Sequence, residues 1–368
     1  GNWTRTGGSF NANGRLVTFN GASGNQTITN AAGETFAFLT VNKASGDVVL
    51  GGNVTVNNTL ALTAGNLSIA ANTLTLGGAF TRTTGSLAGG VTSNLVANAS
   101  AGTLFFDASS TNNYLKFFTI GASGSATLGN TLNIAAYDGI SAEGVLTVTS
   151  GGTLTTGGFL VIKSNANGTA RIAAGNTSGG YISGNAVVER YIPQNSAKGW
   201  RLLGSNTSGQ SINASWQSGQ ANSLSNSNPG FGTQISAGNA LGLNLAAAQA
   251  AGFDTLSAGV SLFKYNPATD GLEPVTNTLT TSLASEQGYF IFIRGDRRVG
   301  GYGAGSPTAS TVLRSNGTLF QGDQSAVSTG APGYALVRNP YPSRIDMRQI
   351  VRSGLLVDAY QVWDPKLG

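Results

Sequence analysis

Residues 52–78 read GNVTVNNTLALTAGNLSIAANTLTLGG, and the order of apolar and small polar residues in this stretch leaves few folds open. Short runs alternate an apolar residue with Thr, Ser or Ala, then Gly, Asn or Ala interrupts and the next run begins. GNVTV at Gly52 returns as GNLSI at Gly65, and NTLAL at Asn58 returns as NTLTL at Asn72 and NTLNI at Asn130. Alternation with a period of two marks a half-buried strand, and runs this short exclude a helix. One such strand cannot bury its own apolar face, whereas a stack of them shares a continuous core, so regular short strands point to a solenoid. The pattern predicts a right-handed parallel β-helix, with three strands in each coil of roughly 20 residues and coils stacked about 4.8 Å apart. Val54, Val56, Leu60, Leu62, Leu67, Ile69, Leu74 and Leu76 are the expected core, and Thr55, Ala61, Ser68 and Thr75 the expected outer surface. A sandwich requires longer strands at wider spacing. Gly and Asn fit the corners because both accept positive φ, so Asn53, Asn58, Asn66 and Asn72 are expected turn formers; equivalent Asn side chains can also ladder from coil to coil.

The beat continues less strictly through GVLTVTSGG from Gly144, GFLVIKS from Gly158, GTARIAAG from Gly168 and NAVVERYI from Asn185. It stops where proline begins. All nine prolines lie at or beyond Pro193, and so do Trp200, Trp216 and Trp363, three of the four tryptophans. Proline removes a ladder donor, so a long stretch without it implies strands bonded on both sides. The expected domains are therefore 1–190, the parallel β-helix, and 191–368, a β-sandwich-like module with one or two short helices. In the second, AKGWRLLG, GVSLFKYN, GYFIFIRGD, TVLRSNGTLFQG and GYALVRNPYP read as longer aromatic strands. LAAAQAAGF from Leu245 and SRIDMRQIVRSGL from Ser343 read as helices, the latter with Ser343 or Asp346 as N-cap. The chain opens inside a strand-like pattern and ends at VWDPKLG, which reads as a mature fragment truncated at its C-terminus.

The residue inventory restricts chemistry more than it assigns any. There is no Cys and no His, which removes disulfides, thiolate metal sites, the commonest general base and any Ser-His-Asp triad. Charged residues are 10% of the chain, well below the ~25% usual for soluble domains, and Ser, Thr and Asn take their place, the habit of extracellular β-rich proteins. The net charge of +5 comes from scattered bases; nothing forms a basic stripe with interleaved aromatics, so no nucleic-acid partner is expected. No apolar run reaches membrane-spanning length.

The phrases VVERYIP, GWRLLGS, ASWQSG, NPGFGTQIS, SLFKYNPATDGLEPVTN, GYFIFIRGDRR, LRSNGTLFQGD, ALVRNPYPSRIDM and YQVWDPKLG, in that order from Val187 to Gly368, resemble the large surface-exposed proteins of Bacteroidetes exported by type IX secretion. In that family a β-helical, adhesin-like stretch runs into such a module, and the repeat half of this chain is similar in style. The resemblance implies an extracellular or cell-surface location reached by type IX export, although the family's usual signal peptide and C-terminal sorting domain do not occur in this sequence. It implies no particular activity.

Candidate sites are few. Before residue 185 the acids are Glu34, Asp47, Asp107, Asp138 and Glu143. Asp138 and Glu143 form the one pair close in sequence and read as an exposed loop pair; a lyase or hydrolase needs converging carboxylates. Arg294, Gly295 and Asp296 spell an integrin-type tripeptide but read better as a strand-ending turn. Sugar faces stack on exposed aromatics; Trp200 and Trp363 alternate with apolar residues and read as core, Tyr341 and Tyr360 stand behind them, and Trp216, in the polar phrase NASWQSG, is the carbohydrate-binding candidate. DTL at Asp254 fits the short Asp-Ser/Thr-apolar pattern on which surface proteins of the resembling phylum are O-glycosylated, making Thr255 a candidate acceptor. No catalytic residue, metal ligand or cofactor is expected. The sequence thus reads as a non-enzymatic surface protein, adhesin-like or a structural subunit, with a surface glycan, a protein or copies of itself as partner. Head-to-tail assembly through open strand edges is one such arrangement. The alternative is a carbohydrate-binding or carbohydrate-cleaving β-helix protein.

Overall fold

A computed structural model describes residues 1–175, 179–194, 199–220, 228–283, 288–298, 309–325, 327 and 334–351. The chain divides into two units: Gly1–Lys163, Asn167–Ala186 and Gln321–Asp323 form the first, and Ser164–Ala166, Val187–Phe320 and Gln324–Gly368 the second. The last long stretch of the first unit ends at Ala186, ahead of Pro193, the first proline.

The first unit is a parallel β-solenoid of about 8 turns, and its pairings trace three faces. On the first face Trp3–Thr4, Gln26–Thr29, Val48–Leu50, Asn66–Ala70 and Ser86–Gly89 stack in order. Bridges from Leu87 to Phe106 and from Gly89 to Asn113 carry it on to Tyr114–Leu115, Leu132–Ile134 and Leu160–Ile162. The second face runs from the first halves of Glu34–Asn42 and Val54–Ala64 through Thr73–Leu76, Asn94–Ala97, Phe117–Ile120 and Val145–Val148 to Arg171–Ile172. On the third, Leu16–Phe19 stacks under the second halves of the same two long strands and then Phe80–Arg82. Ser100–Leu104, Ser125–Leu128, Thr153–Thr155 and Ile182–Ser183 follow as a further parallel stack.

Alternation puts every second side chain inside. Leu39, Leu60, Leu67, Leu74, Leu95 and Leu146 are fully buried, and Val54, Val56, Leu62 and Ile69 join them as expected. Each buried Leu contributes about 1.5–3 kcal/mol relative to an exposed one, and the column repeats the gain on every turn. Thr55, Ala61, Ser68 and Thr75 lie between buried neighbours with partly exposed side chains. Val54 stacks on Leu74 and Leu74 on Leu95, so one turn takes about twenty residues here. The repeat from Gly52 to Gly65 is therefore a step around the perimeter: Val54 lies on the second face and Leu67 on the first.

None of Asn53, Asn58, Asn66 and Asn72 adopts the positive φ expected of them, and Asn58 and Asn66 lie within the strands Val54–Ala64 and Asn66–Ala70; asparagines here bond from turn to turn instead. Asn2, Asn25 and Asn53 accept through Oδ1 from the backbone N–H of Thr27, Asp47 and Thr73, one turn ahead. Asn72 donates to Leu50 O at 2.7 Å. Asn133, buried, donates to Asn113 Oδ1 at 2.9 Å, a true side-chain ladder. At the last turn Gln321 imitates a strand: its Oε1 accepts from Ile182 N and its Nε2 donates to Ile182 O.

The second unit is built on antiparallel strands. Gly199–Leu203, Tyr289–Ile293, Leu262–Asn266 and Gly271–Pro274 form a sheet in that spatial order, and Thr207–Ser208 pairs with Thr311–Leu319. Helix α1 (Ile212–Trp216) is capped by Ser211 and α2 (Leu245–Ala250) by Asn244. Ile212, Ile235, Phe253, Leu262, Tyr289 and Ile291 belong to one core. The stretch from Ser343 departs from expectation: a single 3-10 turn, Met347–Gln349, forms behind the Asp346 cap, and residues 352–355 lie outside those described. The described part of GYALVRNPYP forms no strand.

Candidate functional site

The outward side chains of the first face are unusually small around its middle turns. Val49, Ser68 and Ala88 follow one another in register, and Gly89 and Gly90 continue the last of these strands. The segment 107–112 borders this region. It leaves the face between the bridges at Phe106 and Asn113, and its first residue, Asp107, reaches back to Asn66. Asn66 Nδ2 donates to Asp107 Oδ2 at 3.0 Å, Ser109 N to Asp107 Oδ1 at 2.8 Å, and Gly89 N to Asn112 O at 2.8 Å. Ser109 and Thr111 share a hydroxyl contact at 3.0 Å that stiffens the loop.

Beside this loop lies a shallow groove of about 240 Å³ lined by Asp47, Ser68, Ala70, Ala88, Gly89, Gly90, Thr92 and Asn112. Burial holds the Asp47 carboxyl above its ordinary value and the nearby charge of Asp107 raises it further, while Asn66 and Lys43 pull the other way. Lys43 is itself buried, donating to Gly21 O at 3.1 Å. The groove therefore presents carboxylate, amide and hydroxyl groups among small side chains, suited to hydrogen-bonding a polar guest.

Trp216 is not an exposed platform. Its ring is 2% exposed and meets Tyr289 edge-on at 5.3 Å. The polar neighbours that suggested exposure are themselves buried: Asn213 and Gln217 make internal hydrogen bonds, Gln217 Nε2 reaching Asp254 Oδ2 at 3.0 Å. Helix α1 and its C-cap turn Asn213, Ser215, Trp216 and Gln217 inward. Trp200, expected in the core, is half-buried and stacks on Phe290 at 4.5 Å with 8° between the rings. Tyr341 is half-buried; Tyr360 and Trp363 lie outside the described residues.

Thr255 is half-buried beside Asp254, which is fully enclosed and bound by Arg297. The Arg294–Gly295–Asp296 stretch is a structural turn. Asp296 is buried and accepts from Gly230 N at 2.7 Å, and Arg294 lies over the Phe292 ring at 5.0 Å. Asp138 is exposed and accepts from Ile140 N, Ser141 N and Ser141 Oγ, donors that hold its carboxyl well below the usual range. Glu143 accepts instead from Arg171 Nε at 3.1 Å, so the two acids face separate partners.

The groove residues were missed in the sequence. Its visible traces are the small run AGG at 88–90 and the polar excursion DASSTNN at 107–113, but only the fold shows that the two adjoin. Among the described residues no three or more Asp and Glu gather in one place, and no helix is long and apolar enough to cross a membrane. The fold and groove define the chain as a β-solenoid protein carrying a second, antiparallel β unit. Compared with known families, curated proteins and solved structures, it matches none of them.

Proposed function

We propose that this chain is a non-enzymatic extracellular surface protein, adhesin-like or a structural subunit of a cell-surface assembly, exported by the type IX route that its resemblance implies. The observation that carries the reading is the solenoid itself. About 8 turns share one aliphatic column and present mainly short hydroxyl and aliphatic side chains outward, a scaffold whose hydrogen bonds run along its axis and which endures without reacting. The acids on it mostly serve structure: Glu34 is held by Arg5 and Trp3, Asp138 by its own loop, Glu143 by Arg171. A protein or glycan on another surface, or a second copy, is the partner.

The second reading, a carbohydrate-binding or carbohydrate-cleaving protein, is favoured by the groove, where Asp47 and Asp107 come close enough to repel. One experiment separates the proposal from carbohydrate cleavage. The purified chain is incubated with a panel of plant, algal and bacterial polysaccharides, and reducing and unsaturated ends are measured. Binding without release of ends supports the proposal; turnover that disappears in Asp47→Ala or Asp138→Ala overturns it.

A further inference from the structure

We infer that the groove beside segment 107–112 binds one hexose unit of a neutral glycan, with Asp47 and Asn112 taking its hydroxyls and Ala70, Ala88 and Gly89 underlying its less polar side. This rests on the proposed reading of the chain as a binding protein and names the ligand class and the place.

Size comes first. About 240 Å³ is below the range of roughly 300–1,000 Å³ of pockets that enclose drug-sized ligands, so this shallow groove seats one ring of a longer ligand rather than enclosing it. An extended peptide is disfavoured. It would bind by adding a strand to a free edge, but Val48–Leu50 and Asn66–Ala70 are bonded on both sides within their sheet. The guest must be read by side chains.

Chemistry then narrows the choice. A carboxylate offers two acceptor oxygens to neighbouring hydroxyls, and an amide supplies both a donor and an acceptor. An acidic sugar would be repelled by Asp47 and Asp107, which already oppose each other. Asp107 is committed to Asn66 Nδ2 and Ser109 N, and this fixes the loop beside the groove. Asp47, half-buried in the groove, stands in an environment that disfavours its charge. A solvated, isolated Asp at that position would be more comfortable, and ligand hydroxyls donating to it would relieve the strain. The absence of side-chain bulk at Ser68, Ala88, Gly89 and Gly90 keeps the groove open over two successive turns.

The test uses the whole chain on a printed array of neutral, acidic and amino-sugar oligosaccharides, with affinity for the best neutral probe then measured by calorimetry. Three variants are compared: Asp47→Asn, Asn112→Ala and Ser68→Phe, the last filling the groove. The expected result is binding to neutral sugars, weakened at least tenfold in all three. The melting temperature of Asp47→Asn should be unchanged or higher, because its repulsion with Asp107 is gone; a purely structural Asp47 would lower it. Wild-type binding that all three variants retain removes the groove as the site and leaves the adhesin reading standing. A chain that adheres to cells or a protein but to no sugar on the array overturns the inference in the same way, and preference for acidic sugars overturns its chemistry.

Discussion

Arg297 and Asp254 form a fully enclosed ion pair: Arg297 Nη2 donates to Asp254 Oδ1 at 3.0 Å, Nε reaches Oδ2 at 3.1 Å, and neither side chain is exposed. The pair ties together four short segments of the second unit, at Gln217–Gln220, Ile235, Asp254 and Arg297. Arg297 also donates to the carbonyls of Gln217 and Gln220, and Asp254 accepts from Ile235 N and from Gln217 Nε2. Arg297→Met should cost about 3–5 kcal/mol in the unfolding free energy of this unit, because it strands a buried carboxylate. Arg297→Met combined with Asp254→Leu should cost less than either alone. Denaturant unfolding of the three variants measures this.

Glu34 predicts an acid sensitivity at the first turns. Burial on its own raises this carboxyl, but the donors Arg5 Nε, Trp3 Nε1 and Thr35 N, with the Arg5 charge, outweigh it and the net direction is down. The folded state then binds the ionised form more tightly. Its stabilisation is complete above the ordinary carboxyl value of 4.5 and is lost as pH falls through the lower folded value. The indole N–H signal of Trp3, followed by NMR, should lose its protection on that acid side, and Glu34→Gln should abolish the dependence.

The Asn113–Asn133 ladder is buried on both sides, each residue being 8% exposed. Asn113→Ala leaves Asn133 Nδ2 without its side-chain acceptor and should cost about 1–3 kcal/mol. Asn113→Val with Asn133→Val should recover part of it. Thermal unfolding compares the two.

Gly78 is a site of close approach, where an added Cβ would stand 1.9 Å from Asn58 O and 2.9 Å from Asn58 Cα. Gly78→Ala should destabilise the solenoid by about 1–3 kcal/mol, since backbone and not a flexible side chain must move. Gly7→Ala, with nothing within 4 Å, should stay within about 0.5 kcal/mol of the parent.

The solenoid was legible because its core obeys a local rule: inside and outside alternate, so Val54, Leu60 and Leu74 announce themselves. Proline content likewise reports backbone bonding residue by residue. What escaped was non-local. The Gly52 and Gly65 repeats are similar strands on different faces of one turn, an assignment that their spacing alone does not make. Trp216 was read from polar neighbours whose hydrogen bonds close inward, a fact set by Asp254 and Gly252 far along the chain. The groove depends on Asp107 reaching Asn66, 41 residues earlier, and no spacing rule carries that information.

The stacking register is the claim on which the fold, the ladder and the groove all rest, and a chain without Cys permits a direct measurement. Thr55 and Thr75 are register partners on adjacent strands, within the reach of a disulfide. Thr55→Cys with Thr75→Cys should cross-link under mild oxidation, detected by mass spectrometry of the peptides, while Thr55→Cys with Ser68→Cys, one repeat apart but on another face, should remain reduced. Efficient cross-linking of the second pair and none of the first would contradict the solenoid described.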